Sequence, residues 1–277
     1  MSKFVKVLLC SMLVLGLALL AGCSSNKASN EKVFRVGMEC GYAPFNWTQT
    51  NADNGAVPIN GTQEYANGYD VMIAKQIAES MGAKLEVYKI EWDGLTPAVN
   101  AGKIDAVIAG MSITEKRKES VNFSSPYYNA SIVVLTKKDG KFANAKNIND
   151  LSGAVVTSQL NTIWYDLIPQ IPSAQAKPAI DNVPSMIVAL TSGKVEALIM
   201  DRPTALAAVY SNPSLTAIEF KDGNGFKVSN EDVEMGVAVA KTNTTLVEQI
   251  NAKLNTISEA DRDKLMDEAI KIQPLSK

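Results

Sequence analysis

The chain contains no histidine among its 277 residues. That excludes a Ser-His-Asp triad, a Cys-His dyad and any histidine-ligated metal site. Cysteine is nearly as scarce, with Cys10, Cys23 and Cys40 the three present. Cys10 and Cys23 fall in the N-terminal segment, so only Cys40 stands in the folded body and no disulfide is expected within the mature protein. Cys40 beside Gly41 reads as a small packing residue, because no base stands near it in the sequence. Charge of one sign is also missing. Lys and Arg number 27 against 29 Asp and Glu, a formal net charge of -2, and nothing points to a nucleic-acid surface. The length is enough for one large or two modest domains.

Long apolar runs are absent except at the start. Lys3 and Lys6 precede an apolar stretch from Val7 to Leu20, of signal-sequence length and short for a membrane span. It ends Leu20-Ala21-Gly22-Cys23, followed by Ser24, Ser25 and Asn26. This order of charge, apolar run, small residues and cysteine resembles the bacterial lipoprotein signal, in which the cysteine is lipidated and becomes the first residue. Residues 1–22 are therefore expected to be removed and Cys23 to be lipidated. Residues 23–32 are expected to form a flexible tether. An ordinary secretory signal that happens to hold a cysteine is the alternative.

The stretch from Gly102 to Lys118 organises the folded body. Ile104 to Ala109 is a nearly continuous, β-branched apolar run, which predicts a buried parallel strand. Gly110 closes it, and Ser112, Thr114 and Arg117 come next. In an open α/β sheet, ligands bind outside the carboxyl ends of the strands. Gly110 then allows close approach to the backbone, Ser112 offers a hydroxyl, and Arg117 offers a planar fork suited to a carboxylate. The same residues also fit a strand, a turn and a solvated helix start with Thr114 as N-cap and Glu115 in the first turn. A second stretch, Ser192-Gly-Lys-Val-Glu-Ala-Leu-Ile-Met-Asp201, repeats Ala101-Gly-Lys-Ile-Asp-Ala-Val-Ile-Ala-Gly110. It ends on an acid, Asp201. One unit ending near a cation and one on an anion suggest a zwitterion held between two lobes, although so short a repeat can arise by chance.

Elsewhere the pattern is α/β. Val33 to Gly37 reads as the first strand, followed by an aromatic-rich loop from Glu39 to Trp47. Phe45 fits aromatic packing and Tyr42 a binding face. Thr48 to Gly68 reads as a polar surface excursion. Asp70 reads as the N-cap of a helix whose apolar face runs from Val71 to Met81 and which Gly82 ends. Strands are expected at Leu85–Ile90, Ser131–Lys137, Ala154–Thr157, near Ala179, Val195–Met200 and Val233–Ala240. Helices are expected at Thr162–Ile168, Pro184–Thr191, Pro203–Tyr210, Leu246–Ile257 and Ala260–Ile270. Two crossings between two α/β lobes make a hinge architecture.

Several motifs now stand together: Gly37 to Phe45 ending Tyr-Ala-Pro-Phe; Gly68-Tyr-Asp-Val; Trp92-Asp-Gly-Leu; Ile104 through Arg117; Phe123-Ser-Ser-Pro-Tyr-Tyr; and Asp201-Arg-Pro. With them the chain, from about Lys32 onward, resembles the polar-amino-acid-binding family of periplasmic solute-binding proteins (family 3), the receptors of bacterial ABC importers. The resemblance implies an α/β, two-lobed periplasmic-binding-protein fold of type II, with the ligand in the cleft and two hinge strands. It implies one lobe from 33–128 plus 236–277, a second from 131–233, and hinges near 128–131 and 233–236. Arg117 would pair with the ligand α-carboxylate, helped by Ser112 and backbone near Thr162. The Gly110 carbonyl and Asp201 would take the α-ammonium. Tyr42 and Trp92 would sandwich the side chain, Gln159 and Met200 would line the second lobe, and Glu39 would read the side-chain tip. The implied binding set is Glu39, Tyr42, Trp92, Gly110, Met111, Ser112, Arg117, Gln159, Thr162 and Asp201, with no catalytic residue, no metal and no cofactor. Asn161 departs from the pattern, standing where the family usually has glycine; asparagine tolerates left-handed geometry better than other non-glycine residues.

The implied function is an extracytoplasmic, lipid-anchored binding subunit. It is expected to act as a monomer and to deliver an L-amino acid to ABC permease and ATPase subunits. Glu39 between two aromatic faces points to a basic side chain, since a buried carboxylate needs a cation or strong donor. A Glu39 solvated at the rim is the plainer alternative. Other classes remain: a prephenate or arogenate dehydratase on the same fold with Glu39 as general acid, or a sensor ectodomain, which would need separate signalling partners.

Overall fold

The computed structural model describes residues 31–221 and 223–274. The expected signal peptide, Cys10 and the lipidation site Cys23 lie outside the described residues.

The apolar strand Val33–Met38 is central to a five-stranded sheet ordered Lys84–Lys89, Val33–Met38, Ala106–Val107, Ala238–Ala240, Val121–Phe123. The first three run parallel, and Ala238–Ala240 runs antiparallel to both its neighbours. Phe34, Val36 and Met38 are buried while Val33 is exposed and Arg35 half-buried, the alternation expected where a strand starts at the surface and ends in a core. Helix Tyr69–Ser80 buries Val71, Ile73, Ala74, Ile77 and Ala78 beside this sheet. Helix Trp92–Asn100 buries Leu95, Ala98 and Val99 against the Val33–Met38, Ala106–Val107 and Ala238–Ala240 strands.

A second five-stranded sheet is ordered Gln175–Ala176, Val155–Thr157, Ala197–Asp201, Ile132–Lys137, Leu215–Ile218. Again three parallel strands are followed by an antiparallel one. In each sheet the antiparallel strand is the one that comes directly after the chain has crossed from the other sheet. Ala106–Val107 and Ala197–Asp201 therefore hold equivalent third positions, and the sequence repeat that ends in Gly110 and Asp201 is a repeat of structure. The crossings themselves pair as a short antiparallel ribbon, Tyr128–Asn129 with Glu234–Met235.

Four expectations are corrected. The run Val233–Ala240 is two strands, Glu234–Met235 in the ribbon and Ala238–Ala240 in the first sheet. Gly236 parts them, where a side chain would meet Ile113 at 2.9 Å. The strand expected near Ala179 is Gln175–Ala176, with Ile180 only bridging to Gln159. The excursion from Thr48 to Gly68 contains strands Val57–Pro58 and Tyr65–Asn67, which join Gly41–Tyr42 and Asn46–Gln49 in a four-stranded sheet. Polar composition concealed them because one face of the sheet is solvated. Finally, Met200 does not line the cleft. Strand Ala197–Asp201 is buried on both faces, so Ala197 and Ile199 join the main core while Leu198 and Met200 pack with Met186 and Leu190.

Gly68 illustrates how tightly the four-stranded sheet meets the Tyr69–Ser80 helix that follows it. Its φ is 126°, and a Cβ there would sit 2.3 Å from the Phe45 carbonyl oxygen. Gly82, at φ 60°, has nothing within 4 Å of the same position. Gly68→Ala should cost about 3 kcal/mol of stability, and Gly82→Ala about 1 kcal/mol. Urea midpoints at unchanged slope check this; equal shifts in the two variants would contradict the packing described.

Candidate functional site

Eight of the expected site residues gather on one small cavity between the sheets: Glu39, Tyr42, Trp92, Gly110, Ser112, Arg117, Gln159 and Thr162. Glu39, Gly110, Ser112, Gln159 and Thr162 lie just past the carboxyl ends of parallel strands or in the turns that follow, where an open α/β sheet places its ligands; Trp92 and Arg117 come from the helices after such turns and Tyr42 from the short strand Gly41–Tyr42. Ala109 and Trp164 complete the lining. The cavity amounts to about 10 Å³, room for about one water. Trp92, Arg117 and Thr162 also face an outer cleft of about 740 Å³, so they form the wall between the two. Met111 is buried and faces that outer cleft rather than the inner cavity. Asp201 is fully buried behind the cavity.

Thr114 caps the Glu115–Lys118 helix by accepting from the Arg117 backbone N–H at 3.2 Å, which fixes the helix that carries Arg117. The Arg117 guanidinium donates through Nη1 to the Ser112 carbonyl at 2.9 Å and through Nη2 to the Asn161 carbonyl at 3.0 Å. Its Cζ lies 5.1 Å from the Trp92 ring centroid, a cation–π distance. Burial pulls its pKa down to about 10, against the opposing charges of Asp166 and Asp232, so it stays cationic at neutral pH.

Glu39 accepts from Gln159 Nε2 at 3.0 Å. Burial pushes its carboxyl up to about 8; the Gln159 bond opposes this, and the charges of Glu91, Asp93 and Asp70 add to it. Gln159 also donates to the Asp181 carbonyl at 3.0 Å, and Thr162 Oγ1 donates to the Gln159 carbonyl at 2.8 Å, fixing that turn. Asp201 caps the Arg202–Ser211 helix by accepting from Thr204 N–H at 2.8 Å, and its other oxygen accepts from the Tyr42 hydroxyl. Burial raises the Asp201 carboxyl. The Tyr42 ring stacks on Phe45 at 4.9 Å. Gly110, at φ 62°, is required here, since a Cβ would sit 2.6 Å from Tyr42 Cε1.

Beneath the cavity runs a buried chain of hydrogen bonds that the sequence did not disclose. Gly110 N–H donates to the Tyr127 hydroxyl at 2.9 Å, and Tyr127 donates to Asp70 Oδ1 at 2.8 Å. Asn46 Nδ2 donates to Asp70 Oδ2 at 2.8 Å, and Asn46 Oδ1 accepts from Cys40 N–H at 2.7 Å. The expectation of Asp70 as an N-cap is thus corrected: Gly68 is the N-cap, and the Asp70 carboxylate is a fully buried strut. Tyr127 had a signal in the Pro-Tyr-Tyr motif. Trp164 had none, because its apolar neighbours read simply as helix. Asn161 takes the left-handed turn expected of it, with φ 55°. Among the described residues, no group of three His, Cys, Asp or Glu could hold a metal ion.

The sequence pattern of the bacterial extracellular solute-binding proteins, family 3, matches residues 34–270, and the chain belongs to that family. A probable histidine-binding protein of Campylobacter jejuni is 31% identical over 206 residues, 73% of this chain and 74% of that protein. An amino acid ABC transporter substrate-binding protein from Streptococcus pneumoniae, solved bound to L-arginine, aligns at TM-score 0.75 and 26% identity, covering 87% of this chain and 94% of that one. An ancestral arginine-binding protein bound to arginine aligns at TM-score 0.70 and 33% identity, covering 86% and 98%. The fold is accordingly the two-lobed type II periplasmic-binding-protein fold, and the solved relatives are binding proteins.

The buried carboxyls set a pH dependence. Glu39, at about 8, and Asp70, raised to about 7 chiefly by burial, stand well above ordinary carboxylates. Between about pH 4 and 8 the folded protein keeps protons that the unfolded chain has lost. Stability without ligand should therefore fall as pH rises through that window and level off above it. Glu39→Gln should abolish the decline between about pH 7 and 8 and make the rest shallower. Urea denaturation of ligand-free protein from pH 5 to 9 tests this, and a stability that climbs toward pH 8 would contradict it.

Proposed function

We propose that this protein is the lipid-anchored, extracytoplasmic binding subunit of an ABC importer and that it takes a basic L-amino acid. The observation that carries the reading is the pairing of a half-buried cation, Arg117, with a buried carboxyl, Glu39, on one small cavity. Arg117 takes the α-carboxylate. The α-ammonium goes to the Gly110 carbonyl, Ser112 and Asp201, with the Tyr42 hydroxyl giving up its bond to Asp201. The side chain runs between Tyr42 and Trp92 toward Glu39 and Gln159. Lobes of residues 33–128 plus 236–277 and 131–233 part about hinges near 128–131 and 233–236 to admit the ligand. Delivery to the permease follows as a monomer held by lipidated Cys23. What these two solved relatives bind, L-arginine in one and arginine in the other, agrees with this reading.

A raised Glu39 also suits a general acid, which would favour a dehydratase. Absence of turnover on prephenate and arogenate, with tight binding of an amino acid, separates the two.

Calorimetry with arginine, lysine, histidine, glutamine and leucine at pH 7 tests the ligand class. A cationic side chain ionises Glu39, so binding of arginine or lysine should release close to one proton, read from two buffers of different ionisation enthalpy, while histidine, mostly neutral at pH 7, should release less. Glutamine or leucine should release almost none. Arg117→Ala should weaken the best ligand about 30-fold or more, and Lys116→Ala should change little. Tighter binding of leucine or glutamine than of any basic amino acid would defeat the specificity claim.

The anchor has its own test. Cys23→Ser should abolish incorporation of radiolabelled lipid into the expressed protein; undiminished labelling would refute the assignment.

A further inference from the structure

The two lobes are joined across the cleft by hydrogen bonds of two kinds. Gln159 to Glu39 and Tyr42 to Asp201 join groups on or behind the inner cavity. A ligand that uses those groups must displace such bonds. The second kind converges on one residue, Asn161. Its carbonyl accepts from Arg117 Nη2 at 3.0 Å and from Trp92 Nε1 at 3.4 Å. Its side-chain Nδ2 donates to Asp93 Oδ1 at 2.8 Å. Arg117, Trp92 and Asp93 all belong to the segment that precedes the first crossing, and Asn161 follows it. Neither Asn161 nor Asp93 lines the inner cavity; both line the outer cleft.

We infer that Asn161 is a clasp: its bond to Asp93 holds the cleft shut without touching the ligand, and so sets how long a bound ligand stays. The backbone geometry supports this. A φ of 55° points the Asn161 carbonyl at Arg117 and Trp92 while its amide reaches Asp93, so one residue holds three side chains of the facing lobe. Glycine could make the same turn and the two carbonyl bonds, but not the third. A bond outside the cavity acts on the closed state whether or not ligand is present, which shifts the open–closed equilibrium and slows release rather than changing ligand choice. Both partners are exposed, which keeps the effect to about tenfold. The effect on ligand release rests on the amino-acid-binding reading; the effect on closure does not.

The test uses the full chain in detergent, with spin labels on Glu79→Cys and Val188→Cys, exposed positions in helices Tyr69–Ser80 and Val183–Thr191. Asn161→Asp keeps a residue that tolerates the left-handed turn but sets two carboxylates face to face. It should move the ligand-free protein toward the long interlobe distance and raise the dissociation rate of the tightest-binding amino acid about tenfold. Adding Asp93→Asn restores a bond of reversed polarity, and distance and rate should both return to within about twofold of the parent. A distance unchanged by Asn161→Asp, or a double variant as open as the single, would overturn the clasp. Should no amino acid bind the parent chain, the proposed ligand class fails, and the ligand-free distances still decide the clasp.

Discussion

Glu39 and Arg117 face one small cavity from segments that precede the first crossing, and neither leaves water cheaply without a partner. The partners come from the segment between the two crossings. Gln159 donates to Glu39, the Asn161 carbonyl takes Arg117, and Asp201 takes the Tyr42 hydroxyl. These contacts satisfy desolvated polar groups, and a zwitterion, as proposed, would compete for the same groups. Glu39 shows the cost of an incomplete match: with only an amide for a partner, burial keeps its carboxyl near 8. A cation beside it would return it to the ionised form.

That chemistry depends on how the two sheets are built. Each ends its third parallel strand at the cleft, and each continues into a tight turn or a capped helix that fixes a polar group there. The short ribbon of Tyr128–Asn129 and Glu234–Met235 carries both crossings, so the sheets are linked without sharing strands. Under the first sheet, the chain from Cys40 through Asn46, Asp70 and Tyr127 to Gly110 locks the backbone of the turn that must lie against Tyr42. A turn held by several buried hydrogen bonds gives the cavity a fixed wall on that side.

Much of this was legible in the amino-acid order. Strand ends carrying Gly110 and Asp201 were marked by buried apolar runs closed by glycine or an acid, because both faces of a parallel strand must be covered. Arg117 stood out as a planar cation just past a strand end, although the same stretch also read as a solvated helix start capped by Thr114, and the structure shows that cap as well. The polar stretch from Thr48 to Gly68 was opaque, since an edge sheet with one wet face has no continuous apolar run to betray it.

The sequence by itself determined the two α/β units, their repeat, the two crossings and five of the cavity's residues, Tyr42, Trp92, Gly110, Ser112 and Arg117, because periodicity and strand-end chemistry are local properties of the chain; Glu39, Gln159 and Thr162 were marked only by the family resemblance. Tertiary structure alone decided which groups meet. Asp70 became a strut because Asn46 and Tyr127 reach it from elsewhere in the chain. Asp201 came to lie behind Tyr42, 159 positions away. Trp164 joined the lining and Asn161 reached Asp93 across the cleft. Hydrogen bonds and desolvation act between atoms close in space, and no local pattern records which distant residues will share a cavity.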